Sequence, residues 1–461
     1  MIFKFIKTNH TLFLLCIIFF YFFHHNYAFA SKEPIIRVLL SKNKKIRIRS
    51  DRSIPLTITG QTFSNKKIKG LTLKNDKNRK ILFFDKNKQK KYDLKNKQKI
   101  QVRSSDVRGI WVGQRRYSGK LNLYILDSEI LVVNVLGIEK YLSSVVGSEM
   151  PAKWPLEALK AQAIASRTYA MKQKGNKLYD IDSTQKNQVY SGLESRNYKT
   201  IRAVQSTRSL VLTHKNKLIN ALFHSSSGGM TENSQDVWKN EYPYLSSVKD
   251  FDKNNPKLNW QEKFSYDKLQ ELFPTIGGVN RIEILNITKT GRIKNVKIYG
   301  DYGSEVITGT DFRKIMNLKS TLIRFKFIED DENISENEID NGFPAGKSKT
   351  ESLTYIVKFG DNLFDIATRY NSTVSQIVKL NNIEDSSLIK INQKLLVPKN
   401  QKNTSLRIKK ILVVSGMGSG HGVGMSQWGA KQMAARGAKA EEILKHFYKG
   451  IKIKAFNKYF L

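Results

Sequence analysis

Cysteine is almost absent from this sequence: the only one, Cys16, lies within the first 30 residues. If those residues are removed, the remaining chain has no disulfide, no cysteine nucleophile and no thiolate zinc site. Acidic residues are also scarce, because 40 Asp and Glu face 79 Lys and Arg and the formal net charge is +39. Nucleic acid, an anionic membrane surface and an anionic cell wall all fit this charge, and a lysine-rich coding bias explains it equally well. The sequence has no Arg-rich stripe, RNA-binding aromatic motif or zinc-finger spacing, so nucleic acid is disfavoured as a partner.

Long apolar runs are confined to the N-terminus. Residues 11–23 (TLFLLCIIFFYFF) follow Lys4 and Lys7, and Ala28-Phe29-Ala30 comes soon after them. The run is short for a membrane span, and a small-x-small site is typical of signal-peptide cleavage. We therefore predict that 1–30 is a secretory signal peptide, with an uncleaved anchor as the alternative. No later stretch is apolar enough to cross a bilayer, so we expect an exported protein, in the periplasm or in the cell wall and extracellular space.

The 461 residues suggest two to four domains of the α+β class. Alternating apolar and polar residues predict short strands within 31–125, and 117–126 with 129–138 predict a hairpin around Asp127-Ser128. An Ala-rich helix is predicted near 155–173, with Leu156, Leu159, Ala163 and Ala170 on one face. Further strands are predicted at 210–214, 281–288 and 293–300.

The composition shifts in the last third of the chain. The acidic segment 329–352 and the polar segment 399–408 predict exposed linkers. Between them, 353–398 predicts a compact βααβ unit in which Asp361 caps the first helix. After the second linker, 409–461 predicts a strand, a glycine-rich loop and one helix covering 430–448.

Three motifs in order carry a family resemblance. They are Ser148-Glu149-Met150-Pro151 followed by LEALKAQAIASRTYA, then FHSSSGGMTE (223–232), then SGHGVGMSQWGA (419–430), with TGTDFRKIMNLKST as a weaker fourth. Together they resemble the stage II sporulation protein D family, also called SpoIID/LytB. The resemblance covers roughly 34–328 and 409–456.

The unit at 353–398 resembles a LysM module, through its βααβ pattern and its opening YIVKFGDNLFDIATRY. The resemblance implies binding to glycans that contain N-acetylglucosamine. Because the third motif lies beyond this unit, we predict a SpoIID-like domain of 31–328 and 409–461 with the LysM-like module inserted in it. Insertions at exposed loops cost little when the loop ends lie close together.

The SpoIID resemblance implies a lytic transglycosylase, which cleaves MurNAc–GlcNAc linkages of peptidoglycan to 1,6-anhydro products. Ordinary glycosidases pair two carboxylates, whereas this reaction can use one as both acid and base. The family motif places Glu149 in that role, and a partly apolar site would raise its pKa toward a useful range. The alternative from the residues alone is a helix-end glutamate or an ion-pair partner of Arg167.

Other polar residues of these motifs are candidates for substrate binding, each with a structural alternative. Arg167 either orients Glu149, binds a substrate carboxylate, or forms a structural salt bridge. The polar turn with His224, Ser226 and Ser227 either binds sugar hydroxyls or is simply a capped turn. The glycine-rich loop adds His421, Ser426 and Gln427 as sugar-binding candidates, and Trp428 either stacks on a sugar or is buried.

The resemblance also implies that some relatives hold zinc through His and Cys in the region that corresponds to His224. Without cysteine, we predict no metal and no other cofactor. The expected partner is the peptidoglycan glycan strand, including strands stripped of stem peptides. The rival hypothesis is a non-catalytic wall-binding protein that activates a cell-wall amidase.

Overall fold

The structure is a computed structural model, and it describes residues 33–51, 54–76, 79–84, 91–94, 98–175, 178–238, 240–329, 352–357, 361–363, 366–367, 370, 372–383, 389–398 and 410–456. The predicted signal peptide with Cys16, the second linker and nearly all of the acidic linker lie outside the described residues. Among the residues that are described, no helix is both long and apolar enough to span a membrane. Helices and several sheets confirm the α+β class.

The chain divides into two compact units, Met1–Asn255 with Gly422–Leu461, and Pro256–His421. The strands are β1 (Ile35–Asn43), β2 (Lys45–Arg49), β3 (Leu56–Gly60), β4 (Phe63–Ile68), β5 (Gly70–Asp76), β6 (Arg79–Phe84), β7 (Lys91–Asp93), β8 (Lys99–Arg103), β9 (Ile110–Val112), β10 (Arg115–Tyr117), β11 (Lys120–Ile125), β12 (Ile130–Gly137), β13 (Ile181–Asp182), β14 (Leu210–His214), β15 (Lys217–Leu218), β16 (Phe223–His224), β17 (Asn259–Phe264), β18 (Arg281–Ile287), β19 (Ile293–Tyr299), β20 (Ser304–Thr308), β21 (Ile323–Glu329), β22 (Ser352–Ile356), β23 (Lys394–Pro398), β24 (Lys410–Met417), β25 (Met425–Ser426) and β26 (Lys452–Ala455).

The helices within the described ranges are α1 (Ile138–Glu149), α2 (Leu156–Lys172), α3 (Tyr198–Ser206), α4 (Ser234–Val237), α5 (Tyr266–Leu272), α6 (Gly309–Ile315), α7 (Val374–Asn381), α8 (Gln427–Ala435) and α9 (Ala440–Phe447). Two short 3₁₀ helices cover Leu193–Ser195 and Asp252–Asn254. This division into two compact units does not test the domain boundaries predicted from the sequence, which stay a prediction.

Two sheets of the first unit share one hydrophobic core. Their strand orders are β13-β1-β12-β11-β8-β3-β4 and β10-β9-β2-β5-β6-β7. The predicted hairpin is present, since β11 pairs antiparallel with β12 and Leu126 N–H donates to the Glu129 carbonyl across Asp127-Ser128. Strand β12 is apolar except for Asn134 and buried over almost its whole length, as expected of a strand covered on both faces.

Helix α2 is the centre of the helical part of the first unit. The sequence predicts one apolar face, but nearly every residue from Ala158 to Met171 is buried. The reason is that α1, α3, α8, α9 and β14 all contact α2, and its many alanines let these elements approach closely. Pro155 stands at the N-cap of this helix.

The C-terminal helix predicted over 430–448 is two helices, α8 and α9. Gly437 has φ +96° and ends the first of them. Its N–H donates to the Ala434 carbonyl, and Ala438 N–H donates to the Met433 carbonyl, which is the pattern of a Schellman cap. An Arg-Gly pair inside a helical pattern is therefore a helix end here, because only glycine adopts this left-handed conformation without strain.

The second unit has its own cores. Strand β24 is central in the sheet β17-β24-β21, and β18, β19 and β20 form an antiparallel meander. Within 352–398, β22 pairs antiparallel with β23, and Leu363, Ile366 and Ile377 belong to a separate small core. Helix α7 begins with a capping box of Thr373 and Gln376.

Candidate functional site

Glu149 is the last residue of α1, and β12 runs directly into this helix at Gly137. Its carboxylate accepts two hydrogen bonds, from Val189 N–H at 2.8 Å and from Gln427 Nε2 at 3.2 Å. Burial raises the pKa of Glu149 above its ordinary 4.5, although these two hydrogen bonds act in the opposite direction. The negative end of the helix dipole also disfavours an ionised carboxylate at this position.

The end of α1 approaches its neighbours closely. A Cβ on Gly147 would overlap the carbonyl oxygen of Ser195, so a side chain cannot be accommodated there without movement. The Ser195 hydroxyl donates to the Ser144 carbonyl at 2.8 Å, and Ser191 N–H donates to the Ser148 hydroxyl at 3.2 Å. These contacts fix the helix end that carries Glu149.

The segment that supplies Val189 is itself held in place by buried side chains. Gln188 accepts a hydrogen bond from the Tyr141 hydroxyl at 3.0 Å and donates to the Ser166 carbonyl at 3.2 Å. Tyr190 packs against Tyr141 with ring centroids 5.0 Å apart. No sequence motif marks this segment, because Gln-Val-Tyr belongs to no recognisable catalytic pattern.

Gln427 reaches Glu149 because of how the glycine-rich loop ends. Strand β25 pairs in parallel with β16, and α8 begins directly after it. The Ser426 hydroxyl caps α8 by accepting from Gly429 N–H at 3.1 Å. The structure therefore brings the predicted Gln427 to the predicted Glu149, whereas the predicted Ser426 is fully buried as a helix cap.

The polar turn of the second motif points its hydroxyls inward. Ser226 donates to Asp252 Oδ2 at 2.5 Å, and Ser227 donates to Asp250. Burial and the neighbouring charge of Asp252 raise the pKa of Asp250 to about 6. His224 is also buried, and its Nδ1–H donates to the Val423 carbonyl at 3.2 Å. In this arrangement the turn anchors the loop rather than presenting its hydroxyls to solvent.

Asp250 and Asp252 are not predicted from the sequence. The only signal is two aspartates two positions apart in a polar loop, a pattern too common to carry weight. Among the described residues, no group of three or more His, Cys, Asp or Glu side chains is arranged to hold a metal ion.

Arg167 has a different partner from the one considered first. Its guanidinium forms a two-armed ion pair with Glu139, with N···O distances of 2.9 and 2.6 Å. It also donates to the carbonyls of Leu210 and Val204, and it is 1% exposed. This is the salt-bridge alternative, with Glu139 in place of Glu149, and the pair joins α1 to α2.

Of the remaining two candidates, Trp428 lies in α8 and His421 lies in the glycine-rich loop between β24 and β25. Trp428 is half-buried, and its ring meets that of Trp154 edge to face, with centroids 5.0 Å apart. His421 is the last residue of the second unit, and its role in substrate binding stays a prediction.

Comparisons with known proteins support both resemblances. The family model described as Stage II sporulation protein matches residues 126–214, which include Glu149 and Arg167, and the LysM domain model matches 355–398. An uncharacterized protein of Brachyspira hyodysenteriae is 29% identical over 350 residues, which are 74% of this chain and 73% of that relative.

Two Bacillus proteins are also similar. The amidase enhancer of Bacillus subtilis is 30% identical over 324 residues, which are 68% of this chain but only 40% of that relative. The stage II sporulation protein D of Bacillus amyloliquefaciens is 28% identical over 342 residues, which are 70% of this chain and 75% of that relative.

Proposed function

Because the chain carries a stage II sporulation protein domain and a LysM domain, we propose that it remodels peptidoglycan as a lytic transglycosylase. The proposed reaction cleaves MurNAc–GlcNAc linkages and leaves 1,6-anhydro ends. Glu149 is the proposed catalytic residue, acting first as the acid and then as the base.

The surroundings of Glu149 are the observation that supports this proposal. In the described part of the chain, its carboxylate accepts hydrogen bonds only from uncharged amide groups and forms no ion pair with Lys or Arg. A cation there would hold the group ionised, whereas burial favours the protonated form. A neutral carboxylic acid is the form that a general acid needs near neutral pH.

The chemistry follows from one carboxyl group. The protonated Glu149 donates its proton to the glycosidic oxygen as the C1–O bond breaks. The resulting carboxylate accepts the proton of the C6 hydroxyl of the same sugar, and the C6 oxygen bonds to C1. Val189 N–H and Gln427 stabilise the carboxylate between these two steps, so Glu149 returns to its protonated state without water.

The test is mass spectrometry of purified glycan strands, with and without stem peptides, after incubation with the protein. We expect anhydro-muropeptides or anhydro-sugars from the wild type and none from Glu149→Gln. Glu271→Gln is the matched control, since this exposed glutamate of α5 pairs with Lys268 on the surface. If wild type and Glu149→Gln both bind strands and neither releases anhydro products, the enzymatic proposal is wrong.

Activation of an amidase is the second candidate function, and the similarity to a protein named amidase enhancer favours it. In that version Glu149 has no chemical role. Adding the protein to a purified cell-wall amidase tells the two apart: stimulation that survives Glu149→Gln supports activation, and stimulation that requires Glu149 supports cleavage.

We further propose that the LysM domain anchors the protein to the glycan and that the protein acts outside the cytoplasm, in the periplasm or cell wall. The net charge of +39 fits an anionic wall as the surroundings. Deleting 353–398 is expected to weaken wall binding and leave the rest folded, because 355–397 has its own small core. Loss of soluble protein on that deletion would contradict the inserted-module arrangement.

A further inference from the structure

Two tryptophans, Trp154 and Trp428, are close in sequence to Glu149 and to its partner Gln427. Trp154 follows Glu149 by five residues, in the turn closed by the hydrogen bond from Trp154 N–H to the Pro151 carbonyl. Trp428 directly follows Gln427, whose amide contacts Glu149. Trp154 is 5% exposed, whereas Trp428 is half-buried, so part of the Trp428 surface remains open.

A lysine lies over both rings. The Lys431 ammonium is 4.2 Å from the Trp428 ring centroid and 5.4 Å from that of Trp154. Lys431 is four residues after Gln427 on α8, so the two side chains emerge on the same side of the helix, about one turn apart. The cation is thus held over the two rings by cation–π contact, and it forms no ion pair with Glu149 among the described residues.

The charge of Lys431 is not neutralised by any ion pair within the described ranges. Glu149 has amide partners, and the acidic residues nearest in sequence on α9 have other contacts: Glu441 pairs with Lys445, and Glu442 accepts from Lys439 N–H. An ammonium fixed over a tryptophan retains donors for a carboxylate. The exposed part of the Trp428 ring offers an apolar surface at the same place.

We propose that Trp154, Trp428 and Lys431 form a subsite that binds a sugar residue carrying a free carboxylate. In this subsite the open surface of Trp428 packs on the apolar face of the sugar ring, and Lys431 binds the carboxylate. Trp154 supports Trp428 from the side. The inference rests on the proposed function and makes Lys431 a specificity-determining residue for acidic sugars next to the scissile bond.

The test measures binding in the Glu149→Gln background, so that it does not depend on turnover. Two probes are titrated: a GlcNAc–MurNAc oligomer with free lactyl carboxylates, and the same oligomer with those groups converted to neutral methylamides. Tryptophan fluorescence is the readout, because all five tryptophans lie outside 353–398 and binding to the LysM domain is not reported directly.

We expect Lys431→Met to weaken binding of the acidic oligomer about tenfold, the loss of one charge-assisted hydrogen bond. Binding of the neutral oligomer is expected to stay within about twofold, which also shows that the variant is folded. Lys431→Arg is expected to restore most of the affinity. Lys445→Met is the control, since it removes the same charge from α9.

Equal weakening for both oligomers, no weakening for either, or no binding to the Glu149→Gln protein would each overturn the subsite. The outcome for catalysis is separate. If binding depends on the carboxylate but the wild type releases no anhydro products, the subsite proposal holds and the transglycosylase proposal is wrong. If the wild type releases anhydro products but binding does not depend on the carboxylate, the transglycosylase proposal holds and the subsite proposal is wrong.

Discussion

Replacing Arg167 by Met tests whether this arginine stabilises the fold or binds the substrate. The guanidinium makes two charge-assisted contacts to Glu139 and two hydrogen bonds to the carbonyls of Leu210 and Val204. Methionine preserves most of the packed stem but leaves the Glu139 carboxylate, which is 12% exposed, without its cation. Breaking a buried ion pair in this way costs about 3–5 kcal/mol. We expect the free energy of unfolding to fall by that amount.

The assay is urea unfolding followed by circular dichroism, combined with the kinetics of the proposed glycan cleavage on the folded protein. The KM of the proposed cleavage is expected to stay unchanged, since Arg167 contacts Glu139 and two backbone carbonyls rather than Glu149. The double variant Glu139→Gln/Arg167→Met serves as the control, because it removes both charges. It is expected to recover at least about 1 kcal/mol relative to Arg167→Met, since no unpaired charge remains buried.

One result would refute this reasoning. Suppose that the free energy of unfolding of Arg167→Met lies within about 0.5 kcal/mol of the wild-type value while KM rises tenfold or more. The ion pair is then dispensable for stability, and Arg167 binds substrate. In that case the double variant would show no recovery of stability.

Three further predictions concern the helix ends around the site. Burial raises the pKa of Glu149, so the folded state loses stability when this group ionises. Glu149→Gln should therefore raise the free energy of unfolding at neutral pH, and the gain should fade by up to about 1.4 kcal/mol per pH unit toward pH 4.5, the ordinary value; a loss at neutral pH in urea titrations would contradict this. Gly147→Ala should lower the free energy of unfolding by about 1–3 kcal/mol, because its methyl group overlaps the Ser195 carbonyl. The melting temperature and the kcat of the proposed cleavage should fall together; an unchanged melting temperature would contradict the packing. Asn197→Ala should cost about 1 kcal/mol in urea unfolding through loss of the α3 capping box with Thr200, and Asn197→Asp should retain most of the stability.

Features set by neighbouring residues were predicted well from the sequence. The β11–β12 hairpin and the Ala-rich helix depend on local alternation and helical periodicity, and both lie close to their predicted bounds. The break between α8 and α9 was missed, because the glycine at position 437 ends a helix only when the following backbone turns away. The periodicity of 430–448 contains no information about that turn.

The composition of the candidate site was predictable only in part. The position of Glu149 came from a family motif, and its place at the end of α1 then followed from the structure. Its contact with Gln427 joins residues 278 positions apart, and the Arg167–Glu139 pair joins residues 28 apart. With 40 acidic residues available, charge alone cannot select the partner of one arginine. Such choices depend on tertiary packing, which no local pattern records.

The distance in sequence between Glu149 and Gln427 also determines when the site can form. Strand β26 completes the β14 sheet, β25 pairs with β16, and α8 and α9 cover α2, so the last part of the first unit is made of its latest residues. Contacts between such distant residues form slowly and late in folding. During synthesis the chain therefore carries Glu149 without its amide partner Gln427 until 278 further residues have been added. A protein with this order of assembly has an incomplete candidate site until the segment that carries Gln427 has been made.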